Sequence, residues 1–479
     1  MGVEVGKVED QELTARLRLD VAALVGALGI AAAWPVSAYE LSPFLIPALL
    51  AAAGSATLVL LRPEYGIAVV AALAPLTNLQ LGGSQGMKPV QFLLPALAGG
   101  VVVYAALVGR ERSGARAASG LSIAIFLFLG AAVASSVQAL DPAETVKKLI
   151  VLLTAAGVFY ATLEICRGQR ERLVVVGGVL AGLLIAAGQG VLQQYLGQVG
   201  EYGIVADGSV VGRIQGSFGH PNQYGGFVAV LVPLATAVAL TRGFAAPQRW
   251  LAGMALLLAL PAITFTYARG AIVALVFGSL LWLAILRPRH ALLVAVVVGL
   301  AATALAPAAL KERFDPDEGT SGDITLRADI WSAALDIYSR EPLLGVGLNN
   351  FGEAYRTLPT TLDSTSQRRL LHQSQVLVPP HAQNLYLNVL AEEGIIGFAA
   401  FACFAFAAVA ACFRGVREAD PLGRAVALGA GAGLFTLAVH SLLEVTLIGE
   451  VALPLFALLA VVASSAGSDR EATRSPSRA

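Results

Sequence analysis

Three side chains stand out in an otherwise apolar chain because together they could bind a diphosphate and move a proton. Arg269 lies between two apolar segments that leave almost no loop, and Arg327 precedes Trp331 at a helical spacing that places both near one face. An arginine suits phosphate because its planar fork binds two oxygens and never loses its charge. His381 follows two prolines, and a histidine can transfer a proton near neutral pH or bond a phosphate oxygen.

A glycine-rich stretch with one proline, Arg213 to Gly226, supplies further polar groups. Irregular backbone survives at membrane depth only where it is buried in protein or lines a wet cavity. We therefore predict that Arg213, His220 and Asn222 bind a ligand. The alternative for Asn222 is that it caps the following helix, since asparagine is among the best capping residues, and both roles can hold.

Polar residues nearer the end of the chain are predicted to serve the same site. Asn384 and Tyr386, which follow the histidine closely, and Trp331 are expected to contact substrate. Glu392, His440 and Glu444 are assigned to supporting positions behind the substrate-contacting residues. His440 and Glu444 stand one helical turn apart, so we expect them to hydrogen-bond each other or to orient a neighbour.

Each of these side chains also has a purely structural interpretation. Arg327 is explained as a solvated or headgroup-binding arginine on an interfacial helix, and Arg269 as a side chain that snorkels to the membrane surface. A lone histidine such as His381 is more often a satisfied structural group. Only a shared location for all three favours the chemical interpretation.

The elements that must position these residues are membrane-spanning helices. Hydrophobic residues make up 57% of the 479-residue chain and charged ones 13%, and the mean hydropathy is +0.73, whereas soluble domains carry about 25% charged residues. A helix needs about 20 mainly apolar residues to cross a bilayer. The apolar runs do not alternate with polar residues at a period of two, which argues for helices and against a β-barrel. The sequence therefore predicts an all-α polytopic bundle of about 12–14 spans. Fourteen segments qualify: 21–38, 43–61, 66–82, 91–109, 118–139, 147–165, 173–195, 224–241, 250–267, 270–286, 291–310, 394–413, 425–446 and 451–465.

Charge asymmetry predicts the orientation of this bundle. The short loops on one side carry many arginines, whereas those on the other hold only Lys88, Lys147 and Lys148 before the polar clusters begin. The positive-inside rule then places both chain termini inside and every polar cluster outside. The arginines of the inner loops are Arg62, Arg110, Arg112, Arg116, Arg167, Arg170, Arg172, Arg242, Arg249, Arg287, Arg289, Arg414, Arg417 and Arg424.

The same pattern divides the chain into six predicted parts. Two long outer segments interrupt the spans, and the second is expected to be a mainly helical domain in which 325–340 forms an amphipathic helix. The parts are a cytosolic N-terminal tail at 1–20, N-terminal transmembrane helices at 21–196, core transmembrane helices with the irregular outer loop at 197–310, a large outer loop domain at 311–383, C-terminal transmembrane helices at 384–466, and a disordered cytosolic tail at 467–479.

Composition also argues against several other classes of protein. The 32 basic residues balance the 32 acidic ones, so the sequence gives no reason to expect nucleic acid as a partner. Cys166, Cys403 and Cys412 lie within or at the inner ends of spans and imply no disulfide framework. The outer clusters hold no Asp or Glu constellation with metal spacing, so we expect neither a metal nor another cofactor.

Four motifs in order resemble the bacterial O-antigen ligase and polymerase family. They are Gly216–Asn222 (GSFGHPN), Ala268–Gly270 (ARG), Arg327 to Trp331 with Pro342–Phe351 (PLLGVGLNNF), and His381–Leu387 (HAQNLYL) with Glu392 and Gly394. The resemblance covers roughly residues 200–450, and the large outer loop falls in the expected place. The chain departs from the commoner Ser-Arg-Gly at Ala268, and fourteen spans exceed the usual twelve.

The resemblance implies a membrane glycosyltransferase of the GT-C type in the bacterial inner membrane, with its active site facing the periplasm. Such an enzyme takes a glycan from an undecaprenyl-diphosphate-linked donor, without a nucleotide sugar or metal, and transfers it to a glycan or lipid acceptor. The family's two essential arginines and one histidine match Arg269, Arg327 and His381. The carrier's polyprenyl tail would reach this site from the bilayer.

Two other classes of function remain open from sequence. A transporter or flippase would move a lipid-linked glycan without chemistry, but such proteins usually show internal repeats and ionisable groups near mid-membrane, and neither is evident here. A noncatalytic scaffold for envelope assembly is a third possibility. The sequence does not identify the acceptor, which is a lipid A core, another lipid-linked chain or a protein hydroxyl.

Overall fold

A computed structural model describes residues 62–79, 89–109, 120–198, 202–206, 209–287, 289, 320–358, 378–447 and 449–465. Within these residues, eight helices are long and apolar enough to span a membrane, and three shorter helices are also apolar. The predicted all-α polytopic bundle is therefore confirmed. The predicted spans at 21–38, 43–61 and 291–310 lie outside the described residues.

The helices and strands follow the chain in a simple order. The helices are α1 Pro63–Leu73, α2 Pro89–Gly109, α3 Gly120–Ser135, α4 Pro142–Ile165, α5 Gln169–Tyr195, α6 Pro221–Leu240, α7 Ala246–Phe265, α8 Arg269–Leu286, α9 Thr320–Arg340, α10 Phe351–Arg356, α11 Leu385–Glu418, α12 Pro421–His440 and α13 Gly449–Ser465, and the strands β1 Gly203–Ala206 and β2 Ser209–Gly212 precede α6.

Polar caps explain why several helices begin before their apolar residues do. Asp141 accepts hydrogen bonds from the second and third residues of α4, and Asp420 does the same for α12, each followed by a proline at the first helical position. Asn384 caps α11, which begins nine residues before the predicted span at 394. Helix α12 ends at His440, so the prediction of a span continuing to 446 is wrong.

Close approach between α6, α8 and α12 depends on glycine. A Cβ on Gly429 of α12 would lie 2.6 Å from the Leu234 Cα of α6, and one on Gly433 would lie 2.5 Å from the Val230 carbonyl oxygen. Between α8 and α12, a Cβ on Gly278 of α8 would clash with the Thr436 backbone nitrogen of α12. Small residues let membrane helices pack with their backbones almost in contact. This packing fixes where α12 ends relative to the first residues of α6 and α8.

A break in α11 receives a loop from the extramembrane part of the chain. Gly394 has a φ of 64°, so the helix is interrupted there, and the carbonyl oxygens of Ala391 and Glu392 accept hydrogen bonds from Val346 at 3.1 Å and Gly347 at 2.9 Å. Beyond the break, the Ile395 nitrogen donates to the Pro342 carbonyl oxygen at 2.9 Å. The loop thus pairs with backbone groups that the kink leaves unpaired within α11.

Residues 320–358, which we call the cap, form a small unit with its own apolar core. Leu326, Ile330 and Ile337 of α9 pack with Phe351 of α10, and all four are almost fully buried. Thr145 of α4 anchors the cap, because its hydroxyl donates to the Leu348 carbonyl oxygen at 2.8 Å. The amphipathic helix predicted at 325–340 is thus confirmed as α9, with five more residues at its start.

A short two-stranded ribbon adds to the irregular backbone predicted for the segment before α6. Strands β1 and β2 are antiparallel, with Gly203 opposite Gly212 and Ala206 opposite Ser209. The segment is too short and too rich in glycine for an alternation of apolar and polar residues to predict the ribbon.

Replacing Gly429 with Ala is expected to destabilise the bundle, because the new methyl group would meet the Leu234 backbone. Over-packing of this kind costs about 1–3 kcal/mol, which outweighs the roughly 0.5–1 kcal/mol that alanine contributes over glycine within a helix. Gly253→Ala in α7 is the matched control, because a Cβ there meets nothing within 4 Å. Thermal unfolding in detergent should show a lower midpoint for Gly429→Ala than for both wild type and Gly253→Ala. Equal midpoints for the two variants would show that the contact is not close.

Candidate functional site

The polar residues singled out in the sequence meet at one end of the bundle, which we call the polar end. Helices α6, α8 and α11 begin there, and α7 and α12 end there. The opposite end carries a series of arginines, including Arg242, Arg249 and Arg287, which flank the other ends of α6, α7 and α8. The predicted separation of basic loops from functional clusters is thus found in the described helices.

Arg213 ties the loop before α6 to the turn between α7 and α8. Its Nε donates to the Thr266 carbonyl oxygen at 2.7 Å, and one terminal nitrogen donates to Asn222 Oδ1 at 2.7 Å. The residue is only 7% exposed. Both of these bonds go to protein groups, so Arg213 holds the two segments together and adds a positive charge next to Asn222.

His220, and not Asn222, caps α6. The His220 Nδ1 accepts a hydrogen bond from the Asn222 backbone nitrogen at 3.1 Å, and its ring packs edge-on against Tyr202 with centroids 4.6 Å apart. The alternative prediction, that the Asn222 side chain caps the N-terminus of α6, is therefore wrong. Asn222 lies in the first turn, where its side chain accepts from Arg213 and donates to Glu444 Oε2 at 3.2 Å.

Glu444 lies at the centre of the cluster, in the connection between α12 and α13. Its side chain is almost fully buried, and its Oε1 accepts from the Val445 backbone nitrogen at 3.1 Å and lies 3.4 Å from His381 Nε2. Together with the Asn222 contact, these interactions join three segments that are distant in sequence. The predicted role of Glu444 in orienting a neighbour stays a prediction, and His381 is a neighbour that it contacts.

His440 is held by a different partner from the one predicted. Its Nδ1 shares a short hydrogen bond with the Thr446 hydroxyl at 2.5 Å. Glu444 accepts instead from Asn222, so His440 and Glu444 bond to different partners and not to each other, as had been one of the two predictions. The ring is 1% exposed and lies against α6, where a Cβ on Gly226 would meet His440 Cε1 at 2.7 Å. The glycine thus makes room for the imidazole.

His381 has a defined ring orientation. Its Nδ1 accepts a hydrogen bond from the Gln383 backbone nitrogen at 3.2 Å, so in the neutral ring the proton is on Nε2, the nitrogen facing Glu444. The side chain of His381 is 21% exposed. Both ring nitrogens therefore face protein groups, while part of the ring remains exposed.

Sequence reasoning missed Gln383, which links His381 to Arg327. The Gln383 Oε1 accepts from Arg327 Nε at 3.4 Å, while its backbone nitrogen bonds His381. Its φ of 51° is unusual for a residue with a side chain. Residues held in such conformations cluster at functional sites. The sequence carries a weak signal for this role, because Gln383 lies between two of the residues already singled out.

Arg269 and Arg327 belong to different elements, the bundle helix α8 and the cap helix α9. Arg269 is the first residue of α8, follows a turn in which Tyr267 has a φ of 49°, and is half-buried. The next residue, Gly270, places this turn against α12, since a Cβ there would lie 3.9 Å from His440 Cδ2. Arg327, also half-buried, belongs to α9 of the cap.

Trp331 follows Arg327 by one turn of α9, as the sequence indicated. Its indole nitrogen is buried and has no hydrogen-bond partner within the described part of the chain. Buried indole N–H groups usually find an acceptor. Trp331 therefore presents an unused donor beside the arginine and remains a predicted substrate contact.

The other predicted contact residues bond to the protein in this structure. Asn384 accepts from the first turn of α11 and donates to the Leu442 carbonyl oxygen at 3.1 Å, and the Tyr386 hydroxyl donates to the Ala438 carbonyl oxygen at 2.8 Å. Glu392 accepts from the Asn349 and Phe351 backbone nitrogens at 2.9 and 3.1 Å. These bonds join α11 to α12 and to the cap, and they position the loop that carries His381.

The electrostatics of the cluster favour an ionised carboxylate beside neutral imidazoles. Burial raises the pKa of Glu444, but the nearby His381, His220 and His440 outweigh it and lower that pKa to about 2. Burial lowers the pKa of His220 to about 4, opposed by Glu444 and assisted by Arg213, His381 and Arg327. Burial also lowers the pKa of His381, while Glu444 raises it. The site at neutral pH therefore holds one negative carboxylate among positive arginines.

Within the described residues, no group of three or more His, Cys, Asp or Glu side chains has an arrangement that could hold a metal ion. The site's positive charge comes from side chains. Arginines at fixed positions can stabilise negative charge that develops on a phosphate leaving group.

Part of the chain is similar to a known protein family. Residues 254–402 match the family model described as O-antigen ligase. The match runs from α7 through Arg269, the cap and His381 into α11, so it contains all three residues predicted to be catalytic. No curated protein matches the chain.

Replacing Asn222 with Leu is expected to destabilise the protein, because Arg213 and Glu444 each lose a buried hydrogen-bond partner. Leaving a buried charged group without its partner costs about 1–3 kcal/mol or more. Gln223→Leu is the matched control, since Gln223 is the next residue of α6 and is similarly half-buried. Thermal unfolding in detergent should give a lower midpoint for Asn222→Leu alone. Equal losses in both variants would mean that the bridge contributes nothing specific.

Proposed function

We propose that the chain transfers a glycan from undecaprenyl diphosphate to an acceptor hydroxyl, and the match of residues 254–402 to the O-antigen ligase family model supports this. The observation that supports this most strongly is the location of Arg269, Arg327, His381 and Glu444 at one end of the bundle. Cations that bind a diphosphate lie beside a carboxylate–imidazole pair that can take a proton. We propose that the polar end faces the periplasm, because the opposite end carries the arginines expected inside.

The donor's diphosphate binds between α8 and the cap. Arg269 comes from the bundle and Arg327 from the cap, and a diphosphate that both bind would accept hydrogen bonds from both guanidinium groups. The Trp331 indole nitrogen offers a further donor on the same face of α9. The negative charge that grows on the leaving group is stabilised by these donors, which are already in place before the reaction. The polyprenyl tail extends into the bilayer.

The transfer step exchanges one bond to the anomeric carbon for another. The acceptor's hydroxyl oxygen attacks the anomeric carbon of the donor sugar, and the bond from that carbon to the diphosphate oxygen breaks with its electron pair leaving on the diphosphate. The hydroxyl proton passes to Nδ1 of His381, which gives up its hydrogen bond from the Gln383 nitrogen, and Glu444 stabilises the resulting imidazolium through the Nε2 proton. Glu444 also keeps the His381 ring in place through the 3.4 Å contact with Nε2.

Arg269→Ala and Arg327→Ala are each expected to reduce release of undecaprenyl diphosphate by about 10²-fold or more, because each removes a donor to the leaving group. Purified protein in detergent would be given the lipid-linked glycan with one of two acceptors, lipid A-core lipopolysaccharide or a second lipid-linked glycan, in separate reactions. Arg340→Ala is the control, since Arg340 ends the same helix as Arg327, is exposed, and pairs with Asp336 at 2.9 Å.

Near-wild-type release by either Arg269→Ala or Arg327→Ala would refute the assignment of that arginine. A wild-type chain that binds the lipid-linked glycan but releases no undecaprenyl diphosphate with any acceptor would refute transfer, and a flippase would then explain the binding.

Glu444→Gln is expected to lower kcat by about 10²-fold or more, because it removes the carboxylate half of the proton-accepting pair. It should also move the acid limb of the pH profile. Burial has already lowered the pKa of His381, and Glu444 opposes that shift, so loss of the carboxylate lowers this pKa further and moves the limb to lower pH. The measurement is kcat/KM against pH for wild type and variant. A limb that moves to higher pH, or does not move, contradicts the pairing.

A further inference from the structure

Gln383 contacts two residues of the proposed active site through different atoms. Its side-chain Oε1 accepts a hydrogen bond from Arg327 Nε at 3.4 Å, and its backbone nitrogen donates to His381 Nδ1 at 3.2 Å. The first contact reaches the cap, whereas the second stays within the segment before α11. One residue is therefore bonded both to an arginine proposed to bind the diphosphate and to the proposed proton acceptor.

The backbone on both sides of Gln383 is fixed to the bundle. The Ala382 nitrogen donates to Asn388 Oδ1 at 3.0 Å, and the Asn384 side chain caps α11 and donates to the Leu442 carbonyl oxygen at 3.1 Å. Gln383 itself has a φ of 51°, which few residues with a side chain adopt. Such a conformation persists only where the surrounding structure determines it. The bundle, and not the cap, thus determines where the Gln383 side chain begins.

The contact uses the nitrogen of Arg327 that a phosphate needs least. A guanidinium group carries N–H donors on Nε and on two terminal nitrogens, and the terminal pair can bind two phosphate oxygens. Gln383 accepts from Nε, and the terminal nitrogens form no hydrogen bond or ion pair with another residue that the structure describes. An acceptor at Nε therefore limits rotation of the guanidinium plane and leaves the terminal nitrogens for the donor.

Holding the cap in place does not explain this contact, because other bonds do that. Thr145 of α4 donates to the Leu348 carbonyl oxygen at 2.8 Å, and the buried Glu392 carboxylate accepts from two backbone nitrogens of the cap at 2.9 and 3.1 Å. A 3.4 Å bond between two half-buried side chains adds little to these shorter bonds. Its effect falls instead on the direction of the Arg327 side chain.

The acceptor beside Arg327 is uncharged, which suits an arginine that must bind an anion. A carboxylate at position 383 would also orient the guanidinium group, but it would offset the positive charge and repel a diphosphate. An amide oxygen orients the group and leaves its charge available to the ligand. The residue type of Gln383 and its geometry therefore agree.

We propose that Gln383 is a positioning residue that orients Arg327 for the diphosphate of the donor. This inference rests on the proposed transfer activity and adds to it a residue that acts on the substrate through Arg327. The transfer step opens the bond from the Gln383 nitrogen to His381 and leaves the side-chain bond to Arg327 intact. A functional site needs such support, because a side chain that binds substrate must itself be held in its productive direction.

A double-mutant cycle on the binding of undecaprenyl diphosphate tests this role. Gln383→Leu removes Oε1 but keeps the backbone N–H that bonds His381, so it is expected to raise the Kd about 5-fold or more. In an Arg327→Ala background, the same change should alter the Kd by less than about twofold, because no guanidinium group remains to be oriented. The Kd is measured by titrating each purified variant in detergent with undecaprenyl diphosphate.

Two controls separate orientation of Arg327 from a general disturbance. Gln169→Leu should leave the Kd unchanged, because Gln169 is exposed and begins α5 at the opposite end of the bundle. The acid limb of kcat/KM against pH should stay in place in Gln383→Leu, because the backbone bond to His381 is kept. A limb that moves would show that the loop around His381 is disturbed and would overturn the proposal.

The cycle also distinguishes this proposal from its premise. An equal rise in Kd in both backgrounds would mean that Gln383 acts independently of Arg327, and no rise in the wild-type background would mean that it does not act at all. Either result overturns the proposal. If Gln383→Leu fails to elute as a folded protein from a size-exclusion column, Gln383→Asn decides, since asparagine tolerates a positive φ but has a shorter side chain. An Arg327→Ala variant that binds as tightly as wild type refutes the premise, whatever Gln383→Leu does.

Discussion

The buried carboxylate of Glu444 is the interaction on which the polar end depends. It contacts Asn222 from α6, His381 from the segment before α11 and the Val445 nitrogen of its own turn, at 3.2, 3.4 and 3.1 Å. Taking such a group out of water is expensive, and only surrounding donors and positive charge make it stable. Arg213 reaches it through Asn222, and the nearby imidazoles lower the pKa of Glu444 although burial raises it. One carboxylate thus holds together segments more than 200 residues apart.

The helix packing makes this meeting possible. Glycines on α12 allow α6 and α8 to approach so closely that a methyl group at Gly429 would meet the Leu234 backbone. With the three helices in this register, the last residue of α12 lies beside the first turns of α6 and α8. The kink of α11 also contributes to this arrangement, because the loop that enters the kink connects the cap to the bundle. The cap then brings Arg327 to His381 through Gln383.

Local patterns in the sequence were sufficient for some of these features. Apolar runs predict most of the described helices, and the arginine-rich loops predict which end is polar. Arg269, Arg327 and His381 are recognisable because each is an ionisable residue beside a turn or an aromatic. Their convergence on Glu444 could not be read from sequence, because it depends on which helix ends meet in space. The predicted partnership of His440 with Glu444 illustrates the limit, since helical spacing suggested a bond that the end of α12 at His440 prevents.

Competing local chemistry explains the other differences. Asn222 has the side chain of a good cap, yet His220 takes that role because it precedes the proline that begins α6. The freed Asn222 then bridges Arg213 and Glu444. Gln383 was missed because its importance comes from a positive φ and from two contacts made at once, neither of which its residue type indicates.

The proposed mechanism depends on a diphosphate bound by Arg269 and Arg327 at the polar end. A structure of the protein with undecaprenyl diphosphate, determined by electron cryomicroscopy in a lipid nanodisc, measures this directly. The account predicts phosphate oxygens within about 2.7–3.2 Å of guanidinium nitrogens from both arginines, with the polyprenyl chain in the bilayer. A diphosphate at the opposite, arginine-rich end of the helices, or one that contacts neither residue, would contradict it.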